Sequence, residues 1–379
     1  MHRILLVLGT RPEAVKLCPL LLFLRRFPKL YEVKLCATAQ HRHMLDQVLG
    51  AFAVTPDYDL DSMLPGQTLF QSTSRIIAGI EPVLNAEKPD LVVVQGDTTT
   101  TFCGALAAFY ADVPIAHVEA GLRTGDMGQP FPEEMNRVLA ARLAHLHFAA
   151  TEAAALNLQS ETIAPAVIHV TGNTGIDAVL HIRDGLASGR LRGGDWPWMD
   201  RRRKLILITA HRRENLGAPL ERICTAVTRI AARDDVQVVW PVHPNPEVQA
   251  PVHERLSGHA NVQLLPPLDY VAFVDLMRRA HVVLTDSGGI QEEGPTLGKP
   301  ILVLRDKTER PEAVAAGTVK LVGTDAGRIF RETRRLLESA KEYRRMALVH
   351  NTYGDGRASE RIERVIRLFL GIKAAQAAA

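Results

Sequence analysis

Short apolar runs alternate with helix-like segments along most of the chain. The runs are rich in Val, Leu and Ile, and a polar turn follows most of them before the next helical stretch begins. This alternation is typical of a doubly wound α/β fold with parallel, buried strands. In the first half of the chain, the predicted strands lie at 3–8, 32–38, 91–95, 114–118 and 146–150.

The alternation starts again after a segment at 184–204 that contains Gly, Arg and Trp and has no periodicity. We therefore predict two Rossmann-like domains, 1–170 and 171–352, that face a central cleft. Residues 353–379 are expected to form a helix that packs back toward the first domain and ends in a disordered, alanine-rich tail. The predicted strands of the second half lie at 205–209, 236–240, 262–265, 281–284 and 301–304.

Composition adds little to this picture but excludes several classes of protein. The chain has 379 residues, of which 46% are hydrophobic and 23% are charged, and its net charge is +3. These values are ordinary for a globular protein of two domains. Because no long basic run, long apolar run or signal-peptide pattern is present, we expect no nucleic-acid partner, no membrane partner and a cytoplasmic location. The four cysteines are scattered, so we expect free thiols and no metal site.

Polar side chains follow the predicted strands of the first half at the points where the strands end or the next helices begin. They are Arg11, Gln40, Asp97, Glu119 and Glu133. Because the carboxyl ends of parallel strands meet at one edge of a sheet, where open α/β sheets bind their ligands, we expect these groups to converge.

Two cations, Arg11 and Lys16, lie near the predicted start of the first helix. The helix dipole disfavours positive charge at that end, so a bound anion is expected to compensate them. The alternative is that both side chains point to solvent.

A turn with two adjacent glycines, at 285–293, follows the strand at 281–284. Such a turn aims backbone N–H groups and the positive end of a helix at an anion, and Ser287 adds a hydroxyl group. The alternative is an ordinary helix start with Asp286 or Ser287 as the N-cap. A charged loop at 305–312 follows the next strand, which favours a ligand site at this edge.

A series of motifs runs through both halves in a fixed order. The motifs are Gly-Thr-Arg-Pro-Glu at 9–13, Gly-Asp-Thr-Thr-Thr at 96–100, His-Val-Glu-Ala-Gly-Leu-Arg at 117–123, Pro-Glu-Glu at 132–134, Thr-Gly-Asn at 171–173, His-Arg-Arg-Glu-Asn at 211–215, Asp-Ser-Gly-Gly-Ile-Gln-Glu-Glu at 286–293 and Thr-Glu-Arg-Pro-Glu at 308–312. The chain carrying them resembles the bacterial non-hydrolysing UDP-N-acetylglucosamine 2-epimerases, from residue 3 to about residue 356. The resemblance implies a GT-B-like fold with the active site in the cleft, and it implies a homodimer.

The resemblance implies that UDP binds mainly to the second domain. The residue before His211 is Ala210, where some relatives have Gly. Arg11 is expected to face the diphosphate from the first domain, and Lys16 joins this set because of its charge. The residues that match nucleotide-binding positions are His211, Ser287, Gly288, Gly289, Glu293 and Arg310.

The positions that match the family's catalytic residues are Asp97, Glu119, Glu133 and His211. Inversion at C2 requires proton-transferring groups on both faces of that carbon, and elimination and readdition of UDP would accomplish it without a nicotinamide cofactor. The chain also lacks a Gly-x-Gly-x-x-Gly fingerprint, so no cofactor is expected. Which carboxylate removes the first proton stays open. The alternatives are an ion pair with Arg123 for Glu119 and a first-turn helix charge for Glu133.

Some family members are activated by a second UDP-N-acetylglucosamine molecule beside the active site. Gln40, Arg212 and His243 match the residues of that region. His43 and Gly66 stand where those members have Gln and Arg.

The predicted product, UDP-N-acetylmannosamine, would supply cell-surface polysaccharide. Other readings are a GT-B glycosyltransferase, a hydrolysing epimerase, a 2-epimerase for a 2,3-diacetamido UDP-uronic acid, and a nucleotide-sugar-binding regulator without catalysis. The acidic groups of the first domain disfavour the transferase, and the presence of Asp97 and Glu119 disfavours the regulator.

Overall fold

The alternating segments fold into two parallel β-sheets flanked by helices. The structure is a computed structural model that describes residues 1–38, 42–64, 66–308, 310–348 and 352–373. The chain divides into a first unit, residues 1–181 and 353–379, and a second unit, residues 182–352. The predicted α/β class with two Rossmann-like parallel sheets is confirmed. No helix within the described residues is both long and apolar enough to cross a bilayer.

The described part of the first unit contains a seven-stranded sheet in the order β3-β2-β1-β4-β5-β6-β7. Its paired strands are parallel. The strands are β1 (His2–Leu8), β2 (Tyr31–Ala37), β3 (Tyr58–Asp59), β4 (Leu91–Gln95), β5 (Ile115–Ala120), β6 (Leu146–Ala149) and β7 (Ile168–Val170). The helices are α1 (Arg11–Leu24), α2 (Arg42–Ala51), α3 (Leu69–Glu87), α4 (Thr99–Tyr110), α5 (Glu133–Leu143), α6 (Glu152–Ser160) and α7 (Thr174–Ala187), whose last residues belong to the second unit.

The described part of the second unit contains a six-stranded parallel sheet in the order β10-β9-β8-β11-β12-β13. The strands are β8 (Lys204–Thr209), β9 (Val236–Pro241), β10 (Val262–Leu265), β11 (Val282–Thr285), β12 (Ile301–Val303) and β13 (Val319–Leu321). The helices are α8 (Ala218–Ala231), α9 (Pro246–Leu256), α10 (Tyr270–Arg279), α11 (Gly288–Thr296), α12 (Pro311–Ala315), α13 (Ala326–Glu338) and α14 (Ala340–Met346).

The final helix of the chain, α15 (Ala358–Phe369), belongs to the first unit and contacts α1. The Asp177 carboxylate, on α7, accepts hydrogen bonds from the Ser359 and Ala358 backbone N–H groups at 2.8 and 3.2 Å. A carboxylate at this position satisfies N–H groups that the first turn of a helix leaves without partners. The start of α15 is therefore fixed by a side chain of the same unit.

The central strands are buried on both faces, as the apolar runs predict. All five residues of β4 are buried, and so are all six of β5. Strand order reverses between β1 and β4 in the first sheet and between β8 and β11 in the second. At such a reversal, the loops after the two neighbouring strands turn to opposite faces and leave a crevice that binds ligands in many α/β proteins. The two crevices lie beyond Leu8 and Gln95 and beyond Thr209 and Thr285.

Candidate active site

In the first unit, the buried carboxylate of Glu13 joins the two loops at the strand reversal. It accepts hydrogen bonds from the Gly9 and Thr10 backbone N–H groups at 3.0 and 2.7 Å. It also accepts hydrogen bonds from the hydroxyl groups of Thr98 at 2.7 Å and Thr101 at 3.2 Å. Burial raises the pKa of Glu13, and these hydrogen bonds oppose the rise. The sequence analysis assigned no role to Glu13, although the Thr10-x-x-Glu13 spacing of a capping box indicates one.

Glu119 lies near the end of β5, where the strand contains a bulge between Val118 and Ala120. Its backbone has a φ of 62°, in the left-handed region that few residues other than glycine adopt. Lys16 Nζ lies 2.5 Å from both carboxylate oxygens of Glu119, and the Gln95 side-chain amide donates a hydrogen bond to the same carboxylate. A strained backbone and two side-chain donors therefore hold this carboxylate in one orientation.

The sequence left open an ion pair between Glu119 and Arg123. In the structure, the Arg123 guanidinium donates hydrogen bonds to Glu161 at 2.6 and 2.9 Å. Hydrogen bonding to Arg123 lowers the pKa of Glu161. The cation beside Glu119 is Lys16, which the sequence analysis included in the diphosphate-binding set.

Asp97, in the turn between β4 and α4, contacts a second cation. Arg137 Nη2, on α5, lies 2.5 Å from Asp97 Oδ2, and the side chain of Asp97 is 29% exposed. The Asn136 side chain donates a hydrogen bond to the Asp97 carbonyl oxygen at 2.9 Å. Burial raises the pKa of Asp97, partly opposed by Arg137, and the nearby negative charge of Glu119 adds to the rise. The sequence analysis missed Arg137, because its helical position carries no recognisable signal.

The two consecutive carboxylates at the start of α5 have different surroundings. Glu133 is the first residue of the helix, and its negative charge contributes to the raised pKa of Asp97. Glu134 is buried and accepts hydrogen bonds from the Thr124 and Gly125 backbone N–H groups at 2.9 and 3.0 Å. Glu134 therefore fixes the loop after β5, whereas Glu133 belongs to the electrostatic surroundings of Asp97.

Arg11 is the first residue of α1, directly after the turn that Glu13 organises, and its side chain is partly exposed. Of the groups predicted to converge, the structure brings Glu119 and Glu133 within electrostatic range of Asp97. Gln40 lies outside the described residues. The result is an acidic cluster lined by cations beyond the carboxyl ends of β4 and β5.

In the second unit, the buried carboxylate of Asp286 holds the loop after β8. Asp286 Oδ2 accepts hydrogen bonds from the His211 and Arg212 backbone N–H groups, both at 2.8 Å, and from Asn215 Nδ2 at 2.9 Å. Asp286 Oδ1 lies 3.4 Å from His211 Nδ1. The sequence analysis weighed Asp286 only as a helix N-cap. The N-cap is instead Ser287.

The His211 imidazole ring stacks on that of His243, with ring centroids 5.2 Å apart and planes 10° apart. Burial lowers the pKa of His211, the Asp286 carboxylate opposes this shift, and the charges of His243 and Arg212 lower it further. Arg212 and His243, predicted to contact a second nucleotide sugar, thus lie beside a residue predicted to bind the first.

The first turn of α11 contains the paired glycines from which an anion site was predicted. A Cβ atom at Gly288 would lie 3.7 Å from Arg310 Nη2 and 4.0 Å from Arg212 Nη2. Within the described residues, the Ser287 side chain makes no capping hydrogen bond. Two guanidinium groups and a helix N-terminus therefore converge at this point, which is a combination suited to a phosphate group.

Hydrogen bonds to neighbouring residues hold Arg310 in this position. Its Nε donates a hydrogen bond to the Glu292 carboxylate, and its backbone N–H donates one to the Thr308 hydroxyl group at 3.1 Å. Thr308 in turn donates to Gln291 Oε1 at 2.6 Å. Glu293 lies next to Glu292 on α11, with Oε1 4.0 Å from the position of a Cβ atom at Gly289. The loop at 305–308 and the helix α11 thus form one hydrogen-bonded assembly.

Comparisons with known proteins agree with the resemblance found in the motifs. The model of the UDP-N-acetylglucosamine 2-epimerase family matches residues 25–367. The UDP-N-acetylglucosamine 2-epimerase of Escherichia coli K12 is 54% identical over 366 residues, which cover 95% of this chain and 97% of the relative.

Two solved structures are similar over nearly the whole chain. The UDP-GlcNAc 2-epimerase from Neisseria meningitidis, bound to UDP-GlcNAc, is 47% identical with a TM-score of 0.88, covering 96% of this chain and 99% of that one. The enzyme from Methanocaldococcus jannaschii, in complex with UDP-GlcNAc and UDP, is 32% identical with a TM-score of 0.76, covering 97% and 99%. The family resemblance and the GT-B-like fold class predicted from the sequence are thereby confirmed.

Proposed function

The chain belongs to the UDP-N-acetylglucosamine 2-epimerase family, and we propose that it interconverts UDP-N-acetylglucosamine and UDP-N-acetylmannosamine by inverting C2 of the sugar, without releasing free sugar. The observation that carries the proposal is the acidic cluster beyond β4 and β5, in which Asp97 and Glu119 each contact a cation. The ligands described for the N. meningitidis and M. jannaschii structures support this choice of substrate.

Inversion at C2 requires a proton to leave one face of the carbon and another to arrive on the opposite face. The C2 hydrogen is barely acidic, because no carbonyl group adjoins it. We propose that the C2–H electron pair forms a C1=C2 double bond while the C1–O electron pair leaves with UDP in an anti elimination. The intermediate is 2-acetamidoglucal. Syn addition of UDP, with protonation of C2 from the other face, then gives the epimer without any change in oxidation state.

The departing diphosphate gains negative charge in this step, so fixed donors that face it accelerate the reaction. The Ser287-Gly288-Gly289 turn, Arg310 and His211 are the proposed donors of the second unit, and the convergence of guanidinium groups on Gly288 supports this role. The Glu293 carboxylate, on the same helix, offers acceptors to nucleotide hydroxyl groups. Arg11 and Lys16 are the proposed cations from the first unit.

The proton transfers are proposed for Asp97, Glu119 and Glu133, with His211 assisting at the leaving group. Asp97 and Glu119 differ in their surroundings, because Asp97 has a raised pKa caused mainly by burial, whereas Lys16 neutralises the charge of Glu119. Two titratable groups in unlike environments suit a reaction that removes a proton and returns one. Carboxylates here also stabilise the positive charge that develops at C1.

Family membership supports four wider proposals. The protein acts in the cytoplasm, as a homodimer, and supplies N-acetylmannosamine units for cell-surface polysaccharide. A second UDP-N-acetylglucosamine molecule is proposed to contact Arg212 and His243, together with Gln40. The stacking of His243 on His211 supports coupling between such a molecule and the first site.

Proton NMR of the purified protein with UDP-N-acetylglucosamine in heavy water, without added cofactor, tests the proposed reaction. The expected result is UDP-N-acetylmannosamine with deuterium at C2. Free N-acetylmannosamine together with UDP would instead identify a hydrolysing epimerase. An unchanged substrate would argue against plain UDP-N-acetylglucosamine and lead to trials with decorated UDP-sugars.

Two variants test whether Glu119 takes part in the proton transfer. Glu119→Gln removes the charge of the carboxylate beside Lys16 and should abolish most deuterium incorporation. Glu161→Gln is the matched control, because Glu161 also pairs with a cation, Arg123, but has no proposed role in proton transfer. Equal losses in both variants would show that the effect is structural.

A further inference from the structure

Asp286 Oδ2 accepts hydrogen bonds from three N–H groups, while Oδ1 faces the ring of His211. Two of the donors are the backbone N–H groups of His211 and Arg212, and the third is the side chain of Asn215. Asn215 Nδ2 also donates to the Leu304 carbonyl oxygen at 3.1 Å, so the assembly extends to the residue after β12. The loop after β8 is therefore fixed to a carboxylate at the end of β11.

The second oxygen of the same carboxylate is directed at the His211 ring. Asp286 Oδ1 is buried and, within the described residues, accepts no hydrogen bond, while His211 Nδ1 lies 3.4 Å from it. A small rotation of the ring would bring this pair within hydrogen-bonding distance. Because an unpaired buried carboxylate oxygen is costly, a proton on Nδ1 is the arrangement that satisfies it.

Another buried carboxylate of the second unit shows how an ordinary structural aspartate is held. Asp275 accepts hydrogen bonds from Trp196 at 2.8 Å, Arg278 at 2.8 Å and Arg279 at 3.0 Å. Two of these donors are permanent cations that compensate its charge. The donors to Asp286 Oδ2 are neutral, and a titratable ring faces its other oxygen. This contrast indicates that Asp286 has a function beyond holding the loop.

We propose that Asp286 is the positioning residue of His211: it holds one proton of the imidazole on Nδ1, so that Nε2 takes up the second proton and, as part of the imidazolium, donates a hydrogen bond to the departing diphosphate. The same carboxylate stabilises this imidazolium. A carboxylate that orients a histidine in this manner fixes its tautomer and raises its basicity. The inference rests on the proposed function for the role of His211, although the tautomer itself does not depend on it.

The tautomer can be measured directly. Long-range ¹H–¹⁵N correlation spectra of the full-length protein distinguish Nδ1–H from Nε2–H imidazoles, and His211→Gln identifies the signals of His211. The neutral wild-type ring is expected to carry its proton on Nδ1. An Nε2–H tautomer in the wild type would overturn the proposal, and this result needs no variant of Asp286.

Asp286→Asn presents an amide group to Nδ1 and should move the proton of His211 to Nε2. We expect kcat for epimerisation to fall by about 10²-fold or more, because a ring with its proton on Nε2 and an amide donor at Nδ1 no longer becomes the imidazolium, while KM changes by less than about threefold. Asp275→Asn is the matched control and should keep both the His211 tautomer and kcat. An unchanged tautomer in Asp286→Asn, or an equal loss of kcat in Asp275→Asn, would contradict the proposal.

Measuring both the epimerase activity and the His211 tautomer distinguishes failure of the proposed function from failure of the positioning role of Asp286. If the wild type does not epimerise UDP-N-acetylglucosamine, the proposed function fails, and the tautomers of the wild type and of Asp286→Asn still decide the role of Asp286. If the wild type is active and Asp286→Asn keeps both activity and tautomer, the proposed function stands and the positioning role fails.

Discussion

Lys16 Nζ lies 2.5 Å from both carboxylate oxygens of Glu119, so the cation of α1 meets the carboxylate near the end of β5. The two residues are 103 positions apart in the chain. Both are largely buried, with side-chain exposures of 18% for Lys16 and 7% for Glu119. Because a charge in this setting is costly without its partner, each residue determines the electrostatic state of the other.

Lys16→Met tests this relationship. The substitution replaces the lysine by an unbranched apolar side chain that is one atom shorter, so Glu119 loses its cation. We expect kcat to fall by about 10–100-fold and the free energy of unfolding to fall by about 1–3 kcal/mol, measured by steady-state kinetics and urea unfolding. Lys34→Met is the control, because Lys34 pairs with Asp57 at 3.4 Å in a more exposed setting. Normal turnover in Lys16→Met would remove the pair from the mechanism.

Asp97→Asn should separate binding from chemistry. Asparagine fits the space and keeps a contact with Arg137, but it neither accepts nor donates a proton in the way a carboxyl group does. The variant should therefore fold, bind UDP and lose most of its turnover, by about 10²-fold or more. Asp90→Asn is a suitable control, because Asp90 precedes the other end of β4 and accepts a hydrogen bond from the Arg3 backbone N–H at 2.7 Å. Wild-type activity in Asp97→Asn would exclude this residue from proton transfer.

Arg310→Ala should act on nucleotide binding. The Arg310 guanidinium lies beside Gly288 at the start of α11, where the diphosphate is proposed to bind. Loss of a charge-assisted hydrogen bond predicts a Kd for UDP that is about 10–100-fold higher by isothermal titration calorimetry. Arg278→Ala is matched to it, since Arg278 also contacts a buried carboxylate, that of Asp275. A UDP affinity that is unchanged in Arg310→Ala would contradict the assignment.

The central part of each sheet could be predicted from the sequence, because fully buried strands such as β4 are continuous apolar runs. The short strands β3 and β7, at the two edges of the first sheet, and β13, at one edge of the second, were not predicted. Strand β3 has only two residues, Tyr58 and Asp59, and β7 and β13 have three each. Runs of this length show no periodicity, and only pairing with a neighbouring strand defines them.

The candidate site was predictable where its residues follow strands, and not where they act through partners distant in the chain. Asp97 could be singled out because it follows a buried strand. Its cation, Arg137, lies 40 positions away on a helix, and only the fold brings the two together. The left-handed backbone of Glu119 likewise has no sequence signal, since the residue type usually avoids it.

Buried histidines predict how stability depends on pH. His117 and His147 lie on β5 and β6, and burial lowers the pKa of each to about 4. In the unfolded chain their pKa is about 6.5, so between pH 6.5 and 4 the unfolded state binds more protons than the folded state. The free energy of unfolding is therefore unaffected above that range and falls as the pH decreases through it, by up to ~3 kcal/mol for each histidine.

His147→Leu should remove part of this dependence. Urea unfolding at pH 7 and at pH 4.5 should give a smaller difference for the variant than for the wild type. His145→Gln serves as the control, because His145 is exposed and its replacement should leave the difference unchanged. Equal pH dependence in the wild type and His147→Leu would show that His147 is not held neutral in the folded state.

Gly9→Ala tests the turn that joins β1 to α1. A Cβ atom at this position would lie 2.2 Å from the hydroxyl oxygens of both Thr38 and Thr100, which are buried and hydrogen-bonded to each other at 2.8 Å. Because both threonines must move, we expect a loss of ~1–3 kcal/mol in the free energy of unfolding. Activity should also fall, since the turn carries Arg11. Gly50→Ala is the control. Apart from its chain neighbours and the backbone of its own helix, no described heavy atom lies within 4 Å of the new Cβ, so stability should be unchanged or slightly higher. Equal stability of the two variants would mean that the turn relaxes without strain.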